Sequence, residues 1–255
     1  MTGFAKRYGS FVILVAIWAA TAQYLAVTGT PTWVLPSPVT VFGEFGRSIR
    51  EGILPTYFEE SMLHLVIAAA IGIIVGVVMG VLIGLNRWAA RFFYPLLNFF
   101  QSLGGIALAP LMIIWFGFST PALVIVVDYT VVFPMAFNTL TGVRTIPPVY
   151  VNAARTMGAN RFEIVRDVLL PGALPNILLG IRLALAYGWR SLIAVEMLFA
   201  IDGLGFMIFS AQQYLNTPQI LLGMVVIGIV WLVISETIVR PIEDLTIGRW
   251  GMVHR

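Results

Sequence analysis

The sequence predicts an all-α, polytopic membrane protein: six transmembrane helices and one polar segment of helical length on the inner face of the bilayer. Three observations carry that expectation. Residues of the AVILMFWYC set make up 59% of the 255-residue chain and charged residues only 11%, against about 25% charged in an ordinary soluble domain. Mean hydropathy is +0.94, and a soluble fold this apolar would expose large sticky patches. Second, six segments approach the ~20 apolar residues that one helical crossing needs: 9–28, 62–85, 93–117, 121–142, 175–199 and 219–239. Third, the cations lie on one side of those segments.

Eleven of the fifteen Lys and Arg residues share that side: Lys6, Arg7, Arg87, Arg91, Arg144, Arg155, Arg161, Arg166, Arg240, Arg249 and Arg255. Arg47 and Arg50 lie opposite, and Arg182 and Arg190 fall within the fifth segment. The positive-inside rule therefore places both termini and the 144–174 segment in the cytoplasm. The formal charge of +3 reflects this siding and is no sign of nucleic-acid binding.

The first segment has the cation–apolar–small-residue order of a signal peptide, ending at Ala20-Thr21-Ala22. Its apolar run continues to Val27, which favours an uncleaved span. In the second, Gly72, Gly76, Gly80 and Gly84 recur every four residues, a stripe that lets a neighbouring helix approach closely. The third carries Pro95, Gly104, Gly105 and Pro110, and Pro134 interrupts the fourth. Such breaks survive in lipid only where protein or a water-filled cavity satisfies the freed backbone groups, and in transporters they often lie near the pathway. An ordinary packing kink is the other reading. Outside, Val39, Phe42, Phe45 and Ile49 recur at helical spacing after Leu35-Pro36-Ser37-Pro38, and residues 200–218 mix apolar and polar positions. Both predict short helices at the interface. No linker or low-complexity run divides the chain, so one domain is expected over 1–255.

Ionisable residues inside a membrane are costly. Asp128, Arg182, Arg190, Glu196 and Glu236 are the candidates. At about 1.5 Å per residue, Asp128 and Arg190 fall at similar depth and are expected to pair. Arg182 and Glu236 form a second pair nearer the inner side, with Arg240, four residues on, as an alternative partner for Glu236. Glu196 follows Trp189 by seven residues on nearly the same helix face. These are either interhelical ion pairs or, for Asp128, Trp189, Arg190 and Glu196, the lining of a pathway or its gate.

Residues 151–177, VNAARTMGANRFEIVRDVLLPGALPNI, are polar and Arg-bearing between two apolar runs. A stretch of this kind is expected to be a docking helix for a soluble partner. The chain has no Cys, which removes disulfide and thiol chemistry. His64 and His254 are its two histidines, too few for a His-rich metal site. Lys6 is its single lysine and lies in no G-x-x-x-x-G-K-[ST] motif, so any nucleotide is bound elsewhere.

The 151–177 segment resembles the cytoplasmic loop of binding-protein-dependent ABC importer permeases, E-A-A-x3-G-x9-I-x-L-P. Ala153, Ala154, Gly158, Val168 (for Ile), Leu170 and Pro171 meet the spacing, and Asn152 stands where the family has Glu. Leu35-Pro36-Ser37-Pro38, Trp115-Phe116-Gly117, Glu196-Met197 and Gly203-Leu204-Gly205 resemble the nitrate/sulfonate/taurine (bicarbonate) branch, with Gly104-Gly105 in place of its usual Pro-Pro. The resemblance implies a six-span permease of the bacterial inner membrane that pairs with a second copy, a homodimer if both copies are identical. It implies two cytoplasmic ATPase subunits holding ATP and Mg, and an extracytoplasmic solute-binding protein delivering a small anion. Asn152, Ala153, Ala154, Gly158, Val168, Leu170 and Pro171 would then couple to the ATPase. The small residues would seat in its groove and Leu170-Pro171 would stop the helix. An ion-coupled secondary transporter shares the buried charges and broken helices, but has no use for the docking motif. An integral membrane enzyme would need a catalytic cluster that two isolated His and scattered carboxylates do not provide. A non-transporting scaffold is the remaining class.

Overall fold

The computed structural model of the chain describes residues 2–31 and 33–241; Arg249, His254 and Arg255 lie outside them. The described residues form helices joined by short turns, with no strand. In chain order the helices are α1 (Thr2–Val27), α2 (Pro38–Arg50), α3 (Ile53–Gly84), α4 (Arg87–Leu103), α5 (Ala109–Phe116), α6 (Thr120–Thr145), α7 (Pro148–Thr156), α8 (Arg161–Ile164), α9 (Leu170–Phe199), α10 (Leu204–Gln213) and α11 (Thr217–Ile234). A 3-10 turn (Gly105–Leu108) precedes α5, and π turns precede α9 (Val165–Leu169) and follow α11 (Ser235–Val239).

Five helical stretches are long and apolar enough to cross a membrane, and the bent pair α4–α5 makes a sixth. Ser and Asn residues followed closely by proline mark the starts of α2, α6 and α11. Ser37, Ser119 and Asn216 each accept a backbone N–H of the first turn, with Pro38, Pro121 and Pro218 in N1 or N2. Proline suits those positions because its missing N–H would have no intrahelical partner there. The second span begins earlier than hydropathy predicts. α3 starts at Ile53 and carries Glu59, Glu60 and Ser61 within one helix, since charged residues end an apolar run without ending a helix.

α6 is the centre of the bundle, with α3 on one side and α9 on the other. The glycine stripe makes the first contact possible. A Cβ at Gly72 would stand 2.6 Å from Val131 Cγ1, at Gly76 2.6 Å from Met135 Cβ, at Gly80 2.6 Å from the Ala136 carbonyl oxygen, and at Gly84 2.9 Å from Val143 Cγ1. The stripe thus lies along the length of α6 with no room for a side chain between the backbones. On the other side, Gly142, Gly180 and Gly188 allow the same approach of α6 and α9.

Pro134 does not interrupt the fourth span. α6 runs unbroken through it; the proline is buried and its carbonyl accepts the Asn138 side-chain amide at 2.8 Å. The third span does break: α4 and the segment Gly105–Phe116 meet at 82°. α1 stands apart from the core. Its side chains are mostly exposed, and Trp18 Nε1 donates to the Pro36 carbonyl at 3.1 Å.

Gly80→Leu is expected to separate α3 from α6, because the new side chain meets backbone that cannot rotate away. A loss of ~1–3 kcal/mol or more follows from overpacking, read as a lower thermal midpoint in detergent. Gly43→Ala on α2, where a Cβ meets nothing within 4 Å, is the control; equal midpoints for the two variants would refute the close-approach account.

Candidate functional site

Three places in the bundle carry groups that packing alone does not explain. The first is the bend between α4 and α5. Gly104 turns the chain at φ 63° and ψ 138°, a left-handed φ that costs glycine nothing. Gly105 follows in an ordinary conformation but has no space: a Cβ there would collide with Thr130 Oγ1 and stand 2.7 Å from the Val126 carbonyl oxygen. One glycine supplies the turn and the other the close approach to α6. The bend leaves a cavity of about 390 Å³, walled by Gln101, Leu103 to Ala107, Tyr129, Thr130, Phe133, Pro134, Tyr187, Arg190 and Ser191.

Arg190 is the one charged residue in that wall. Its guanidinium forms no ion pair among the described residues, and the expected pairing with Asp128 is not made. Asp128 Oδ1 is buried without a hydrogen-bond partner, on the α3 side of α6, where a Cβ at Gly72 would lie 2.9 Å from it. The two residues match in depth but project from α6 and α9 in different directions. Equal depth fixes height in the bilayer and leaves helix rotation open. Trp189 points inward too, 3% exposed, with Nε1 lacking a hydrogen-bond partner. Beyond the end of α11, Glu236 takes Arg240 at 2.7 Å, one of its two expected partners.

The second place is a buried polar knot at the end of the bundle away from the polar segment. Glu196 is 0% exposed and so lies away from the cavity that Arg190 lines. Ser61 Oγ stands 2.8 and 2.9 Å from its two carboxylate oxygens. The Gly205 N–H donates to Oε2 at 2.9 Å, and His64 Nδ1 lies 3.4 Å from Oε1. Ser61 Oγ accepts the Leu204 N–H at 2.8 Å, which leaves the hydroxyl proton for the carboxylate. A Cβ at Gly203, where φ is 107°, would run into the carboxylate itself. The knot pins the start of α10 to α3 and α9 and satisfies the orphan N–H groups of a helix N-terminus that has no water.

Sequence reasoning found Glu196 and the Gly203-Leu204-Gly205 run but missed Ser61 and His64. Their link to Glu196 spans more than 130 residues of sequence. The available signal was helical spacing: Ser61 and His64 are three apart and share a face.

The third place is the polar segment. α7 ends in a tight turn in which Gly158 has φ +87°, the Gly158 N–H reaches the Arg155 carbonyl at 3.0 Å and the Ala159 N–H reaches that of Ala154 at 3.0 Å. Gly158 serves the turn and has nothing within 4 Å of a would-be Cβ. Asn160 starts α8 in a reciprocal capping box with Glu163. Asn152 and Ala153 are exposed, whereas Ala154 is 7% exposed and packs with Ile164, Leu169 and Ala173. Ala154 therefore seats α7 on its own bundle. Val168 and Leu170 are half-buried against the same cluster.

Leu170-Pro171 does not stop a helix. Residues 161–199 form one helical stretch, and a π turn precedes the proline, with the Leu170 N–H reaching back to the Val165 carbonyl. Widening the turn by one residue is how a helix passes a position that has no N–H to give. Among the charged and polar residues it exposes, this segment also presents large apolar side chains: Val149, Tyr150, Met157 and Phe162 are 64, 61, 81 and 71% exposed. Asp167 and Arg166, adjacent in the π turn, make a two-point ion pair at 2.7 and 3.0 Å.

Residues 72–240 match the family described as binding-protein-dependent transport system inner membrane component. The taurine transport system permease protein of Escherichia coli K12 is 31% identical over 226 residues, covering 87% of this chain and 82% of that protein. The bicarbonate transport system permease protein of Synechococcus elongatus is 31% identical over 216 residues, covering 79% of this chain and 77% of that protein. Among solved structures, an inward-facing conformation of the MetNI methionine ABC transporter is similar in fold, with a TM-score of 0.55 and 24% identity over 72% of this chain and 93% of that chain.

The knot yields a test. Ser61→Ala leaves the Leu204 N–H unpaired and removes a donor from a buried carboxylate, a cost of ~1–3 kcal/mol. Glu196→Gln, which points an amide N–H₂ at groups that themselves donate, costs at least as much. Both are expected to lower the thermal midpoint and to expose the α9–α10 turn to limited proteolysis. Wild-type midpoints and cleavage patterns in both variants would remove the knot's anchoring role.

Proposed function

The chain belongs to the family of binding-protein-dependent transport system inner membrane components, and we propose that it forms the translocation pathway of an ATP-driven importer for a small anionic solute. As a permease subunit of this family it carries no nucleotide site of its own. ATP and Mg belong to a separate ATPase on the cytoplasmic face, and a solute-binding protein presents the solute outside. The relatives named for taurine and bicarbonate transport support an anion of the sulfonate or bicarbonate kind, and the resemblance to the wider branch adds nitrate and aromatic acids. A pair of permease chains, each with one ATPase, completes the assembly.

The observation that carries this reading is the apolar surface at the polar end of the bundle. Val149, Tyr150, Met157 and Phe162 are exposed large hydrophobics on a segment whose neighbours are arginines: Arg144, Arg155, Arg161 and Arg166. Arginines bias a segment to the cytoplasmic side. There, exposed apolar side chains rimmed by charge mark a protein interface. Asn152 and Ala153 share that surface, Gly158 shapes the turn that presents it, and Ala154, Val168, Leu170 and Pro171 fix it to the bundle. Arg190 lines the pathway at the bend, while Glu196 with Trp189 holds the helices around it.

Met157→Asp with Phe162→Asp is expected to leave the thermal midpoint unchanged and to abolish co-purification of the ATPase, because both side chains touch solvent and little else. Gly158→Val is expected to weaken the same association through the strained left-handed turn. Residues 150–162 should be labelled by impermeant reagents from the cytoplasmic side alone. A stoichiometric ATPase retained by the double variant, or labelling from outside, would overturn the reading.

A further inference from the structure

We infer that the cavity at the α4–α5 bend binds an organic monoanion with a flat aromatic or similarly apolar body, its carboxylate or sulfonate held by Arg190. The assignment rests on the pathway reading above and narrows the class of solute. Size comes first. A cavity of about 390 Å³ holds about a dozen water volumes, far more than a nitrate or bicarbonate ion fills, and falls in the range of sites for larger organic ligands.

Charge comes next. Arg190 is exposed, without an ion pair among the described residues, and it is the single charged side chain in the wall. An unpaired guanidinium at membrane depth is costly and matches the planar geometry of a carboxylate or sulfonate with two parallel donors. No carboxylate in the wall answers an ammonium, so a zwitterion would leave its cation without a charged partner. The walls are the third element. Tyr129 and Phe133 pack with ring centroids 4.6 Å apart and planes tilted by 58°, and Tyr187, three residues before Arg190, joins them in the wall. The Tyr129 hydroxyl is already committed to the Phe100 carbonyl at 2.6 Å, so it presents a ring and no free donor. Thr130 Oγ1 donates to Ser191 Oγ at 3.1 Å. Gln101, Tyr187 and Ser191 add neutral polar groups to the wall, and with one cation, no carboxylate and three aromatic rings the site selects an apolar body with a single charged end.

The test is a titration of the full chain in phosphatidylcholine nanodiscs with benzoate, benzenesulfonate, taurine, nitrate and benzyl alcohol. Benzoate and benzenesulfonate are expected to bind saturably, about tenfold or more tighter than the other three. Arg190→Gln should weaken the two aromatic anions about tenfold, to the level of benzyl alcohol, with an unchanged thermal midpoint, and Arg190→Lys should recover part of the loss. Tyr187→Ala should weaken the aromatic anions about fivefold and leave nitrate unaffected. Nitrate or taurine binding as tightly as benzoate overturns the solute class, and undiminished benzoate binding in Arg190→Gln overturns the site. No saturable response to either aromatic anion overturns both. In discs containing phosphatidylglycerol, loss of benzoate binding would assign the cavity to a lipid headgroup and overturn the solute. A chain that binds benzoate but retains no ATPase fails the transport reading alone. One that retains the ATPase and prefers nitrate or taurine fails this assignment alone.

Discussion

In a bundle surrounded by hydrocarbon, every backbone N–H that leaves a helix must find its partner in protein. The turn from α9 to α10 meets that constraint with one carboxylate. Glu196 accepts the Gly205 N–H and the Ser61 hydroxyl, and Ser61 in turn accepts the Leu204 N–H. Removing either side chain leaves donors stranded where no water reaches. The same constraint shapes the glycines: Gly203 and Gly205 lie so close to Glu196 that a Cβ on either would displace it. The Glu196-Met197 and Gly203-Leu204-Gly205 runs, which read as separate motifs along the chain, are two halves of one hydrogen-bonded structure.

The bend between α4 and α5 solves the same problem differently. There the chain turns by 82°, and the freed groups border a cavity rather than a carboxylate. α6 is the wall shared by both regions. Its one edge receives the glycine stripe of α3. Another edge presents Tyr129, Thr130, Phe133 and Pro134 to the cavity. Close packing on the first edge fixes the position of the second, so a side chain added at Gly76 or Gly80 would be felt at the cavity wall without touching it.

Much of this was legible in the sequence because lipid makes few demands and makes them strictly. Span number and the broken third span follow from hydropathy and from Gly and Pro placement. The predicted siding rests on cation count. What stayed hidden depends on helix rotation and on pairing across distance. Asp128 and Arg190 have matching depth, yet they face different neighbours. Glu196 lies seven residues from Trp189 and shares its inward face, which puts both in the packed interior instead of at the cavity. Pro134 and Pro171 look like breaks in one dimension. In three, Pro134 stays within α6 with its carbonyl taking the Asn138 amide, and Pro171 follows a π turn that absorbs its missing donor. Ala154 fits the expected small-residue pattern for a different reason: it packs the segment onto its own bundle.

The continuity through Pro171 changes what the polar segment can do. A helix that stopped at Leu170-Pro171 would leave a hinge between the exposed apolar surface and the membrane. Instead, residues 161–199 form one stretch, and Phe162 and Arg190 are separated by about 40 Å of helix at 1.5 Å per residue. Glu196 lies a further turn and a half along. A displacement applied at Phe162 is therefore carried to Arg190 and to the knot at the far end by a continuous helix, apart from whatever the π turn at 165–169 and Pro175 absorb. That turn is one of the places along the rod where the i to i−4 hydrogen-bond ladder is interrupted, Pro175 inside α9 being another. It is also where the Arg166–Asp167 pair faces solvent. Both interruptions lie within the first turns after the exposed apolar surface, and the part of α9 that carries Tyr187, Arg190 and Glu196 is unbroken helix.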